Sequence, residues 1–496
     1  MNKLKDLLLN VTYTENGALT FRSTLDAVLD FYYHAPAKRG MDNEVVELFK
    51  AAYSEQPALA LLALFHLRDV RGGKGERRSF RACLRWLAEN DPDVFTLIAR
   101  FVPEYGRWDD LLVMVDLLPV QQIVIEQMRK DCAAERPSLL AKWLPSLKAS
   151  SMQTRQLAHA WRKVFGMKEA EYRRALSSLR ARLRIVEQKM SARAWGEIEY
   201  AHVPSRAAMI YRHAFDRHDP ERYRAFIAAV RRNEAKINAA TLYPYELVCA
   251  AEENYDQSIQ ALWDALPDYT NGKVGLVVAD VSGSMESVHL PGSRARPIDV
   301  SVALAIYYAQ RNKGPWAGMA ITFTDRPTVI ELPAGLPLNE ARRRMMAHVG
   351  FNTNFQAIFE LILKLAKDKK LAPEQMPAAI WVVSDMEFDM AGPATTNLEA
   401  VRAQYEKANY PMPTLIFWNV ASRGLQTPAT ANEQGVVLVS GFSPSAFQAA
   451  TENRTLTPHE EMSGTLLSPR YAPIAQAIGL TTAAERTIIN SNTVGH

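Results

Sequence analysis

With 496 residues, the chain exceeds what one ordinary hydrophobic core serves and calls for at least two domains. A composition of 48% hydrophobic and 23% charged residues is that of a folded globular protein and excludes a disordered or low-complexity one. The net charge of +4 is uneven: residues 151–240 hold 19 Lys and Arg against 9 Asp and Glu, a local net of +10, whereas residues 271–496 hold 19 of each. Such a regional excess is what a polyanion-binding surface leaves in a sequence, although solvated helix faces also carry many arginines.

The three cysteines, Cys83, Cys132 and Cys249, lie far apart without a CxxC, so neither a disulfide frame nor a zinc site is expected. A reducing, cytoplasmic setting fits that usage. The first ten residues hold a short apolar patch interrupted by charge, and no window nears the roughly 18 apolar residues of a membrane span. No membrane partner is expected.

From about residue 20 to 268 the periodicity is helical. Amphipathic segments recur at Val45–Tyr53, Ala58–Leu67, Arg77–Glu89, Val94–Phe101, Asp109–Leu118, Gln121–Cys132 and Arg155–Phe165, parted by turn signals at Arg71–Gly75, Asp91-Pro92 and Leu118-Pro119. Many short helices with short joints predict an all-α helical repeat, a HEAT-like solenoid or ring of antiparallel pairs, though no clean repeat consensus is present.

Two basic features stand out in this half. Gly72, Gly73 and Gly75 surround Lys74, between Arg71 and Arg77, without the spacing of a Walker A loop. They make either a backbone nest for an anion at the next helix N-terminus or only a sharp turn. A helix is predicted over Tyr172–Lys189, with Leu176, Leu179, Leu183 and Val186 as its core stripe and Arg173, Arg180 and Arg184 on one flank. The guanidinium fork suits phosphate. Arg206, Arg212, Arg217, Arg222, Arg224, Arg231 and Arg232 follow, interleaved with Tyr211, Tyr223 and Phe226, which either stack unpaired bases or belong to the core.

After Asp268–Lys273 the pattern changes. Strands are predicted at Val274–Ala279, Gly318–Phe323, Thr328–Leu332, Ala378–Ser384, Thr414–Asn419 and Val436–Ser440, and helices at Ile298–Arg311, Leu338–His348, Phe355–Lys369, Leu398–Asn409 and Ser443–Thr451. This alternation predicts a mainly parallel sheet covered on both faces, with ligands beyond the carboxyl ends of its strands.

Asp280-Val-Ser-Gly-Ser284 stands at one such end, and Asp385 at another. Thr353, in Gly350–Asn354, stands where a loop meets a helix. Asp280, Ser282, Ser284, Thr353 and Asp385 together supply two carboxylates and three hydroxyls, an oxygen shell suited to a hard divalent cation and, with so few carboxylates, to Mg2+ first. Glu286–Pro297, with His289, Arg294 and Arg296, either rims this site or is a plain surface loop, and Asp389 is either a supporting carboxylate or a solvated one.

These five residues, in this order and context, resemble the metal-ion-dependent adhesion site of the von Willebrand factor A fold, a Rossmann-like α/β domain, over residues 272–455. The resemblance implies Ser282, Ser284 and Thr353 as direct ligands, Asp280 and Asp385 acting through water, and an open position for a partner's carboxylate. Thr14–Ala18, Ser23–Ala27, Asp30–Tyr33, Arg68–Arg78 and Glu104–Asp110 resemble the TROVE module of Ro-like RNA-binding proteins, while Ser205 in Val203–Ser205, Phe417–Val420 and Leu438–Ser443 are more similar to a related branch.

The joint resemblance implies three parts: a TROVE-like helical domain over 1–270, a von Willebrand factor A domain over 271–455, and a helical tail over 456–496 packing back on the protein. It implies binding of noncoding RNA, structured or with single-stranded ends, with Arg71, Lys74, Arg77, Arg173, Arg180, Arg184, Arg206 and Arg212 as the contacting residues. The alternative is a metal-dependent protein-binding adaptor, for example of a MoxR-type ATPase, with no RNA role. No enzyme is expected: GxSxG, HExxH and dinucleotide motifs are lacking, and His159, His202, His213 and His218 have no evident partners.

Overall fold

The computed structural model describes residues 10–183, 185–270, 272, 274–286, 289–290, 295–350, 353–390, 396–448 and 456–480. Strands β1 (Val11–Tyr13) and β2 (Leu19–Phe21) form an antiparallel hairpin. Six further strands build one sheet: β3 (Gly275–Asp280), β4 (Met319–Phe323), β5 (Val329–Glu331), β6 (Ala379–Ser384), β7 (Thr414–Asn419) and β8 (Val436–Ser440), in the order β5-β4-β3-β6-β7-β8. All neighbours are parallel except the edge pair β4–β5. Each predicted strand is found with its ends within one residue.

Continuous runs of β-branched and large apolar residues allow these strands to be buried on both faces. All residues of β3, β6, β7 and β8 are buried. The period of two then sorts them. Leu276, Val278, Ile380 and Val382 share a core with the helices Phe355–Asp368 and Asn397–Ala408 and with apolar residues of 28–179. Val277, Ala279, Trp381 and Val383 share one with the helix Pro297–Ala309 and with apolar residues of 186–266. The α/β domain is thus gripped by the two halves of the helical region, one against each face.

The N-terminal region is rich in helices but not all-α, because the β1–β2 hairpin precedes them. The predicted helix Tyr172–Lys189 is broken: one helix ends at Arg182 and another runs Val186–Ser191. Leu176 and Leu179 enter the first core and Val186 the second, so a single apolar stripe serves two different surfaces. Asp109–Leu118 also divides. A short helix covers Trp108–Leu112, and Leu118-Pro119, read as a turn, opens the helix Leu118–Ala133 with proline in its first turn, where no amide donor is missed. Pro444–Gln448 is a 3-10 turn, and residues 449–451 lie outside the described set.

The helices Pro458–Leu466 and Ala472–Ala477 pack against the helix Pro57–Arg68. Arg470 forks onto Asp69 at 2.8 and 2.9 Å, and Tyr471 Oη lies 2.9 Å from His66 Nδ1. His459 Nδ1 lies 2.5 Å from Asp26 Oδ2. The end of the described chain is therefore bound to its beginning through buried polar contacts.

Candidate metal site and basic surface

Four loops meet beyond the carboxyl ends of β3, β6 and β7. The Asp280–Ser284 turn is tied to the Gly350 loop by backbone bonds, Gly283 N to Gly350 O (3.1 Å) and Gly350 N to Val281 O (3.2 Å). That pairing brings Thr353 to the rim. Asn354 caps the helix Phe355–Asp368 by accepting from Ala357 N, which fixes where the loop ends.

Asp280 is fully buried. Its Oδ1 accepts from Ser282 N (2.9 Å) and its Oδ2 from Ser384 Oγ (2.5 Å). Ser282 Oγ and Ser284 Oγ are 3.0 Å apart. Asp385 is 3% exposed; its Oδ1 accepts from Glu387 N at 3.3 Å, while its Oδ2 has no hydrogen bond. Burial, and for Asp280 also the neighbouring Asp385 charge, raises both carboxyls above their ordinary range.

Thr353 is 3% exposed. Its amide donates to Asp389 Oδ2 (3.0 Å) and its hydroxyl to Glu387 O (2.9 Å). Asp389 is thus a supporting carboxylate rather than a solvated one. The five expected residues do converge on one rim.

Sequence reasoning did not find four others there. Ser384 donates a hydrogen bond to one oxygen of Asp280, and its place beside Asp385 was a usable signal. Arg423, after β7, puts Nη2 3.5 Å from Asp385 Oδ2 and 3.4 Å from Ser284 O. Glu15 and Asn16 come from the tip of the β1–β2 hairpin: Glu15 N donates to Glu387 Oε2 (2.7 Å), and Asn16 Nδ2 to Glu387 O (2.8 Å), with Thr353 Oγ at 3.5 Å. Glu15 Oε2 in turn accepts from Arg423 Nη1 at 2.9 Å. Arg296 caps its own helix through Asp299, and Arg294 lies outside the described residues.

The donor set suits a hard cation. Two buried carboxylates lie close enough to act on each other's charge, Asp385 Oδ2 being unpartnered, beside two hydroxyls in mutual contact. Among the described residues no group of three or more His, Cys, Asp or Glu side chains is placed to hold a metal, so a cation here depends on the hydroxyls. Ser282, Ser284 and Thr353 with Asp280 and Asp385 would hold it, and it would supply positive charge that offsets the carboxylate repulsion.

The basic residues are placed unevenly. Lys74 is 4% exposed, lies over the Tyr32 ring at 5.6 Å and faces Glu461; burial lowers the ammonium and raises the carboxyl, and each partly restores the other. The glycines beside it make a turn rather than an anion nest. Lys74 N, Gly75 N and Glu76 N donate to His66 O, Asp69 O and Leu67 O, and a side chain on Gly73 would strike His66 O. Arg180 spends its donors on Ala141 O (2.9 Å), Leu144 O (2.7 Å) and Ser146 Oγ (2.9 Å). Arg212 is tied to Met209 O and Asp256.

Arg71, Arg77, Arg173 and Arg206 are exposed, the last paired with Glu246 at 2.6 Å. Arg77 stands 3.7 Å from Asp109. Arg184 lies outside the described residues. Tyr223 is buried among Tyr200 and Phe215, and Phe226 packs beside Tyr200, so these rings serve the core. Arg173 borders a cavity of about 430 Å³ with Ser146, Leu176, Ser177 and Gln188.

No helix among the described residues is long and apolar enough to cross a membrane. The chain is 27% identical over 486 residues to the Uncharacterized protein L728 of Acanthamoeba polyphaga mimivirus, covering 88% of this chain and 83% of that protein. Among solved structures it is similar to the Deinococcus radiodurans Ro (RSR) protein, at 14% identity and a TM-score of 0.37, over 88% of this chain and 95% of that one. Residues 275–472 match the family model described as Domain of unknown function (DUF7788). Residues 14–136 and 148–273, half of the chain, match the Domain of unknown function (DUF2828), and the chain belongs to that family.

Proposed function

We propose that the protein binds RNA in the manner of Ro-like proteins, in noncoding RNA binding or RNA quality control, and that its α/β domain holds a divalent cation, Mg2+ first, as a contact for a partner's carboxylate. In this reading the helical region acts as a HEAT-like solenoid or ring in a cytoplasmic protein. The observation that carries the RNA reading is uncompensated surface charge. Within the segment of net +10, Arg173, Arg174 and Arg217 are exposed and pair with no carboxylate of the described residues. Exposed guanidinium forks without a local carboxylate have their donors available for phosphate. The set is narrower than the sequence implied, because Lys74, Arg180 and Arg212 serve the fold itself.

The test is binding of a labelled RNA with a hairpin and a single-stranded end, at rising salt, by wild type and by Arg173→Gln/Arg174→Gln/Arg217→Gln. Each lost phosphate contact should flatten the salt dependence by about one unit of slope. Equal affinity of the two proteins at every salt would remove this surface.

A second reading rests on the rim where Asp280, Ser282, Ser284, Thr353 and Asp385 meet. There the protein is an adaptor whose cation receives a partner's carboxylate, a MoxR-type ATPase being one such partner, and the basic face is incidental. Pull-down from cell extract with wild type and Asp280→Ala separates the two. Loss of a protein contact, with no RNA recovered from either, favours the adaptor.

A further inference from the structure

We infer that Arg423 is a built-in competitor for the cation, and that Glu15 on the N-terminal hairpin holds it in check. The inference rests on the reading of the rim as a metal site. Its grounds are positions that a metal site alone does not require.

Asp280 has both oxygens satisfied by Ser282 N and Ser384 Oγ. The unsatisfied oxygen of the buried pair is Asp385 Oδ2. The only cationic group within 4 Å of it among the described residues is the Arg423 guanidinium at 3.5 Å. That distance is an ion pair without a hydrogen bond: Arg423 neutralises the oxygen from outside and does not saturate it. Arg423 Nη2 also reaches Ser284 O, the backbone oxygen of one of the three hydroxyl residues. A guanidinium and a divalent cation drawn to the same carboxylate repel each other, so occupancy by one weakens the hold of the other.

Glu15 decides which way the arginine leans. Its Oε2 accepts from Arg423 Nη1 at 2.9 Å, a tighter contact than the one to Asp385. Glu15 is itself fixed, because its backbone amide donates to Glu387 Oε2 and its neighbour Thr14 donates to Phe388 O at 2.8 Å, both on the loop that follows Asp385. The hairpin therefore forms one wall of the rim and carries an acid that draws Arg423 away from the cation position. With a cation held by Asp385, Arg423 would be left to Glu15; without one, it would also serve Asp385 as a counter-ion.

The experiment is titration of Mg2+, and of Mn2+ as a tighter-binding probe, into metal-free full-length protein by calorimetry, with the Mg2+-induced rise in Tm as a second readout. Arg423→Gln should bind the ion about tenfold more tightly than wild type and show a larger rise in Tm, while its Tm in EDTA falls because Asp385 loses its counter-ion. Glu15→Gln should bind several-fold more weakly than wild type. In an Arg423→Gln background, Glu15→Gln should then have no further effect, since Glu15 acts through the arginine. Arg402→Gln, on an arginine of the same domain paired with Glu433, should leave the affinity unchanged.

Binding by wild type with no gain in Arg423→Gln overturns the inference and leaves the metal reading standing. A Glu15→Gln loss that persists without Arg423 also overturns it, by placing Glu15 directly on the ion. Binding by Arg423→Gln but not by wild type supports it. No binding by either protein overturns both the inference and the metal reading.

Discussion

Asp389 holds Thr353 by both of its atoms that matter: the carboxylate takes the Thr353 amide at 3.0 Å and approaches the hydroxyl at 3.4 Å. A threonine at a loop–helix junction has freedom to turn its oxygen away, and this contact removes it. Residues that orient a ligand in this way typically affect affinity by about ten- to a hundredfold. Asp389→Ala should therefore weaken Mg2+ binding about tenfold while leaving the far-ultraviolet spectrum unchanged, and calorimetry against wild type checks it.

Asp280→Asn probes the pair itself. The amide keeps an oxygen for Ser282 N and removes a buried charge that faces Asp385. The Mg2+ binding heat should vanish, yet stability in EDTA should fall by no more than about 1 kcal/mol, or rise, because like-charge repulsion is relieved. Urea denaturation in EDTA supplies the second number. A large loss of stability would mean that Asp280 is a structural keystone instead.

The buried pair of Lys74 and Glu461 predicts an asymmetry. Removing one leaves the other buried without its opposite charge, at a cost of about 1–3 kcal/mol, whereas replacing both by apolar residues is close to neutral. Lys74→Met should fall in this range, and Lys74→Met/Glu461→Leu should recover most of the loss in urea titrations. RNA affinity per folded molecule should not change in either, since Lys74 is inside.

Asp30 gives the clearest pH dependence. Burial, with the nearby Asp26 and Glu55 charges, pushes its carboxyl up to about 6 despite bonds from Thr24 N and Thr24 Oγ at 2.8 and 2.7 Å. A folded-state value above the unfolded one means that the folded protein binds more protons between about pH 4 and 6. Stability from this group is present below that window and is lost as pH rises through it. Asp30→Asn should stabilise the protein by about 1–2 kcal/mol at pH 7.5 and have little effect at pH 4.5, a contrast that thermal melts at the two pH values will show.

The sheet, and the meeting of Asp280, Ser282, Ser284, Thr353 and Asp385 at its rim, were legible because their signals are local. Apolar runs such as Val274–Ala279 and Ala378–Ser384, bounded by turn signals, mark buried strands; Asp280 and Asp385 then follow from strand ends, and Thr353 from the junction of a loop with the helix Phe355–Asp368. The hairpin was hidden by the helical periodicity that starts beside it, although Asn16-Gly17 between Val11–Tyr13 and Leu19–Phe21 carries a hairpin signal. The helix break after Arg182 left no trace either, since Leu183 and Val186 keep the helical spacing and only their different packing partners part them. Charge was the least legible property. Arg173 and Arg180 occupy equivalent places on one helix face, yet Arg173 pairs with no carboxylate of the described residues, whereas Arg180 clamps Ala141 O in the helix Leu140–Trp143 and Leu144 O and Ser146 Oγ just after it. Glu15 and Arg423 stand 408 positions apart, and no local pattern brings them together.

Fluorescence anisotropy of a labelled RNA hairpin with a single-stranded end, measured from low to high salt, tests RNA binding by the exposed arginines most directly. Wild type should bind at low salt with an affinity that falls steeply as salt rises, and Arg173→Gln/Arg174→Gln/Arg217→Gln should bind more weakly with a shallower slope. Absence of binding by wild type at low salt, or identical salt curves for the two proteins, would contradict the account.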